Sequence, residues 1–120
     1  MSTLILILVA FVAFQHLGFM VLEMFFWTKP LGRKIFRRTE AQAKDSAALA
    51  ANQGLYNGFL AAGLIFGLLV QDPNVGREFQ LFFLSCVVVA GVFGAATVSR
   101  RILFIQALPA AATLALSLLR

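Results

Sequence analysis

The sequence predicts an all-α integral membrane protein, a four-helix bundle of up-down topology that forms a single membrane domain over residues 1–120. Three observations carry that expectation. Hydrophobic residues fill 61% of the 120 positions, charged residues fill 12%, and the mean hydropathy is +0.90, a balance far outside that of soluble domains. The apolar residues fall in four continuous runs, at about 4–28, 50–70, 79–99 and 102–119, and each suits the roughly 20 helical residues that cross a hydrocarbon core of about 30 Å. The basic residues collect in the connections between runs. Barrel strands would instead alternate in short segments.

The first run, 4–28, closes on Phe25-Phe26-Trp27, aromatic residues suited to a membrane interface. A cleaved secretory leader would need a basic start, a shorter apolar core and a small-residue cleavage site. Met1-Ser2-Thr3 followed by this run supplies none of them, so the helix is expected to persist. Residues 29–49 read as a basic loop carrying Lys29, Arg33, Lys34, Arg37, Arg38 and Lys44. Within it, 31–49 has the make-up of an interfacial helix with Leu31, Ile35 and Phe36 toward lipid. The second run, 50–70, leads into the third, 79–99, through Gln71-Asp72-Pro73-Asn74-Val75-Gly76, where Pro73, Asn74 and Gly76 read as turn breakers. The short fourth run, 102–119, holds Pro109, which a membrane helix tolerates when its neighbours re-satisfy the freed backbone groups.

The net charge of +5 acts as a topology signal. Adding Arg100 and Arg101 to the first loop places eight basic residues on one side, against Arg77 and Arg120 on the other. The positive-inside rule then makes the basic loops cytoplasmic and both termini non-cytoplasmic, in a multi-pass protein of the cell (inner) membrane. Nucleic acid is not an expected partner. No GxxxxGKS/T, GxGxxG, CxxC or HExxH pattern occurs, and one His and one Cys are too few for a transition-metal cage, so no cofactor or metal is expected. Cys86, alone in the third run, reads as a buried structural thiol.

Polar residues inside the runs carry the specific information. An ionisable residue within a spanning helix is a functional candidate by default, which singles out Glu23. At about 100° per residue, His16, Met20, Glu23 and Trp27 share a sector of roughly 60°, and Asn52, Gln53, Tyr56 and Asn57 an arc of about 140°. Glu23 lies about 9 Å along the axis from Lys29, and Asn52 to Asn57 open the returning helix, so the two polar faces are expected to meet in the cytoplasmic half. Gln106 follows Arg101 at a similar depth, and His16 lies about two turns deeper than Glu23, at the floor of a cavity. The expected ligand-binding or proton-linked set is therefore Glu23, His16, Asn52, Gln53, Tyr56 and Asn57, with Arg100, Arg101 and Gln106 as counter-ions or supporting groups.

Two accounts of Glu23 stay open. Arg100 or Arg101 reaching inward would make a fixed ion pair, whereas neutral donors from Asn52, Gln53, Tyr56 and Asn57 would leave a titratable group. Amide bonds between membrane helices also serve as packing glue, worth around 1 kcal/mol each. Gly54, Gly58 and Ala62, with Gly63 and Gly67, form small-residue stripes that suit close packing within the bundle or in a homodimer.

The stretches E-M-F-F-W from Glu23, K-I-F from Lys34 and N-Q-G-L-Y-N-G-F-L-A-A-G-L from Asn52 resemble a small bacterial membrane family known as domain of unknown function 1304. The resemblance runs over nearly the whole chain. It implies a four-helix integral membrane protein, directs attention to Glu23 and 52–57, and brings no substrate. Three functional classes follow from the residues. The favoured one is small-molecule binding or proton-linked transport, with the lipid bilayer and a small amphiphilic ligand as partners. A structural or assembly subunit is the second, and an enzyme acting on a lipid-like substrate, with Glu23 and His16 as acid and base, is the third. No catalytic residue is assigned, because no nucleophile and base stand in a recognisable arrangement.

Overall fold

The protein is described here by a computed structural model covering residues 2–119; Met1 and Arg120, the latter counted in the charge split above, lie outside the described residues. Among those residues the chain is all-α and has no strand. Its elements are α1 Thr3–Phe25, α2 Pro30–Phe36, α3 Glu40–Leu69, α4 Pro73–Thr97, a π-helical turn Leu103–Ala107 and α5 Leu108–Leu118. Helices α1 and α4 are long and apolar enough to cross a membrane, and Leu103–Leu118 is a shorter apolar helix. Only 28% and 22% of the apolar stretches of α1 and α4 are buried, so the protein interior does not account for their hydrophobicity. Phe11, Phe14, Phe25, Phe82, Val89 and Phe93 are among the side chains these two helices leave exposed.

The chain divides into two compact units, Phe14–Ala61 and the remainder, Met1–Ala13 with Ala62–Arg120. In the unit Phe14–Ala61, α1 ends at Phe25 and the Lys29 N–H donates to Phe26 O at 3.0 Å. Pro30 then opens α2, its fixed φ suiting the first helical position. Gly32 sits against this turn: a Cβ there would stand 2.0 Å from Phe26 O, so no larger residue fits without moving backbone. Arg37 closes α2 in the left-handed region, at φ 55°, while the Arg38 N–H reaches back to Arg33 O at 2.9 Å. Thr39 and Gln42 start α3 by exchange. Gln42 N–H donates to Thr39 Oγ1 at 3.1 Å and Thr39 N–H donates to Gln42 Oε1 at 3.0 Å, a capping box.

Residues 29–49 are therefore not a loop with one helix over 31–49. They hold α2, a break at Arg37 to Thr39, and the opening turns of α3, which begins at Glu40 rather than near 50. The physical reason is the pair of helix stop and start signals at 37–42, which divide the basic segment.

The other unit contains the α3 to α4 hairpin. Asp72 Oδ1 accepts from the Asn74 N–H at 2.9 Å and Pro73 stands in the first helical turn, so α4 begins at Pro73 and not at 79. Pro73, Asn74 and Gly76 open a helix instead of breaking one, because the first turn has no use for the N–H that Pro lacks. Gly67 and Gly76 meet at the hairpin, where a Cβ on Gly76 would lie 2.6 Å from Gly67 O. Buried Gln80 donates from Nε2 to that same carbonyl at 3.0 Å, satisfying one of the acceptors that the last turn of α3 leaves unpaired.

Helix α4 ends at Thr97, where the Val98 and Ser99 N–H groups both reach Gly94 O. The last run is not one regular helix over 102–119 but the π turn followed by α5. Pro109 offers no N–H to Ile105 O and its ring crowds that carbonyl, and the wider π turn makes room. Gly91 lets the backbone of Ala107 approach, with Ala107 Cβ 2.7 Å from where a Cβ would stand. Arg77 Nη2 donates to Ser117 O at 3.0 Å, fastening the start of α4 to the end of α5. Val9, Val12, Leu64, Leu84 and Val87 are the large apolar side chains fully buried in this unit.

Candidate functional site

Helices α1 and α3 run antiparallel within the unit Phe14–Ala61. Trp27 Nε1 donates to Ser46 Oγ at 3.1 Å, while earlier residues of α1 meet later residues of α3. Gly54 makes the close approach. A Cβ on it would lie 2.7 Å from Met24 Cγ, 3.1 Å from Glu23 Cβ and 3.1 Å from the Met20 carbonyl oxygen. This contact brings Glu23 and Asn57 together, each 8% exposed, and Asn57 Nδ2 donates to Glu23 Oε1. Within this unit no cation among the described residues pairs with the carboxylate, so the group facing it is a neutral amide.

The other expected residues are placed differently. His16 is fully buried on α1, with its ring edge-on to Phe19 at a centroid distance of 5.2 Å. It lies about 10 Å along the helix from Glu23. Asn52, Gln53 and Tyr56 are exposed, Tyr56 at 58% with its ring against Phe59 at 5.8 Å. The four polar residues of α3 thus divide, with Asn57 turned inward and the other three outward. Arg100, Arg101 and Gln106 belong to the other unit, where both arginines are exposed and Gln106 is half-buried in the π turn.

Met20, expected on the face of Glu23, does stand beside it at Gly54, whereas Ser46 and Met24 are site neighbours that sequence reasoning did not single out. The signal for Ser46 was present: a part-buried indole N–H seeks an acceptor, and Ser46 lies on the returning helix level with Trp27. Trp27 also packs on Phe36, at 4.8 Å between ring centroids. Among the described residues no group of three or more His, Cys, Asp or Glu side chains is placed to hold a metal ion. A shallow apolar groove of about 470 Å³ runs along α4, lined by Phe82, Ser85, Cys86, Val89, Ala90 and Phe93, and contains none of the polar site residues. Cys86 is half-buried there and free.

Fold and site define an all-α chain with two helices long and apolar enough to cross a membrane and a carboxylate–amide pair buried between α1 and α3. The chain belongs to the DUF1304 family, described as a protein of unknown function, whose profile matches residues 10–118. It is similar to the uncharacterized protein YpaA of Lactococcus lactis subsp. lactis (strain IL1403), at 27% identity over 108 residues, 88% of this chain and 89% of the relative. No solved structure matches the chain.

Proposed function

We propose that the protein is a multi-pass protein of the cell (inner) membrane in which Glu23 forms an exchangeable proton or cation site serving a small amphiphilic ligand. The four spans of this reading are α1, the later part of α3, α4, and the π turn with α5. The outward apolar faces of α1 and α4 support it, since so little of either helix is buried. The basic segment from Lys29 to Lys44 and the Arg100-Arg101 pair set the orientation, with both termini on the non-cytoplasmic side.

One observation carries the functional part: the buried carboxylate of Glu23 faces the neutral amide of Asn57. An arginine or lysine in that place would fix the charge in a permanent pair. An amide supplies a hydrogen bond but no compensating charge, and a bare carboxylate away from water is costly. A proton or a cationic group of a ligand meets that cost and is free to leave.

The test compares wild type with Glu23→Gln, both purified in native lipid discs and weighed by native mass spectrometry. Wild type is expected to retain a non-protein mass whose occupancy changes with pH, and Glu23→Gln is expected to lose that pH dependence. Identical behaviour of the two proteins across pH contradicts the proposal.

A further inference from the structure

The outward side of α3 is polar at a depth where lipid would lie. Leu49, Gln53, Tyr56 and Leu60 follow at spacings of four, three and four, flanked by Asn52 and Phe59, and at about 100° per residue all six share a sector of roughly 120°. Leu49 is 75% exposed, Phe59 54%, and Asn52, Gln53 and Tyr56 are exposed as well. The buried residues Ala50, Gly54 and Asn57 belong to the other side of the helix.

Depth follows from the Trp27 to Ser46 bond, which marks the interface level for an indole of the aromatic belt. Gln53 and Tyr56 lie about 10 and 15 Å further along α3, against a half-thickness of about 15 Å for the hydrocarbon core. Among the described residues the side chains of Asn52, Gln53 and Tyr56 make no hydrogen bond. In lipid, their donors and acceptors would go unmet, which is unfavourable.

We propose that this face is a homodimer interface, on which a second copy inserted in the same orientation packs its own α3 about a two-fold axis along the membrane normal. The occupant is identified by chemistry. In a parallel pair related by that axis, each residue meets its own counterpart at the same depth. Charged side chains would repel their copies there, whereas amides and a phenol each donate and accept and so satisfy themselves. The spacing of four, three and four is that of a two-helix seam, and a polar residue such as Gln53 within it fixes register and parallel orientation. The inference rests on the membrane reading given above.

Cysteine cross-linking in native membranes tests it, in a Cys86→Ser background with single cysteines at Leu49, Tyr56 or, as a control on another exposed face of α3, Leu55. Oxidation is expected to give disulfide-linked dimers from Leu49→Cys and Tyr56→Cys at several times the yield from Leu55→Cys. Adding Gln53→Leu to Tyr56→Cys is expected to lower the yield. Seam positions that cross-link no better than Leu55→Cys, in a chain that resists carbonate extraction, overturn the pairing and leave the membrane reading intact. Release of the chain by carbonate overturns both.

Discussion

Asn57 reaches Glu23 from a position that helical periodicity alone does not single out. Glu23 stood out in the sequence because an ionisable residue inside an apolar run is a functional candidate by default. The period of the second polar cluster fixed only its arc, and Asn52, Gln53, Tyr56 and Asn57 were equal members of it. Close approach decides among them. Gly54 turns toward α1, Asn57 lies about 60° from Gly54 around the helix, and Asn52 and Tyr56 lie about 160° away. The small residue therefore marks the inward side, and only Asn57 lies near it. Replacing Asn57 with Leu keeps the branched four-atom outline of the side chain and removes the donor, so the variant is expected to lose about 1–3 kcal/mol of stability. Glu23→Met, which leaves no acceptor, combined with Asn57→Leu is expected to cost less than the two single changes summed, because each removes one partner of the same bond. Thermal unfolding of the four proteins in one detergent measures the cycle, and strict additivity would show that the bond contributes nothing.

At the level of elements, the starts of α3 at Glu40 and of α4 at Pro73 were not legible from the second and third apolar runs, whereas the first and last runs begin close to α1 and the π turn. Thr39-Glu40-Ala41-Gln42 carries the capping-box pattern and Asp72-Pro73 carries a cap followed by a first-turn proline, yet both lie where charge and breaker residues outweighed them. The π turn has no compositional signature, and Pro109 was its one trace. Glycine contacts separate structural from incidental small residues. Gly54 abuts the Met20 carbonyl and Glu23 Cβ, whereas Gly58 abuts the Met20 sulfur, the far end of a flexible side chain. Gly58→Ala is accordingly expected to leave stability nearly unchanged, while Gly54→Val, which forces α1 away from α3, is expected to cost about 1–3 kcal/mol. The same unfolding assay separates them, and equal losses would contradict the close approach at Gly54.

Over the whole molecule, most large apolar side chains point outward and the buried positions are filled largely by Ala, Gly and Val, with polar groups paired among them. That arrangement suits a lipid solvent, where helices associate through close contact and hydrogen bonds rather than by withdrawing from water. Composition made the all-α, apolar character legible at once, because so high a hydrophobic fraction leaves little else that folds. That Arg100, Arg101 and Gln106 belong to a different compact unit from Glu23 and Asn57 was not legible, since sequence distance carries no record of it. In the function proposed above, Glu23 is an exchangeable carboxylate inside the membrane. A hydrophobic carbodiimide, which enters lipid and adds to a protonated carboxyl group, tests that claim in native membranes, with the modified residue located by peptide mass spectrometry. Glu23 is expected to be modified to an extent that varies with pH, with no modification at position 23 in Glu23→Gln. A Glu23 that stays unmodified at every pH, in a chain that remains folded and membrane-bound, would contradict the account.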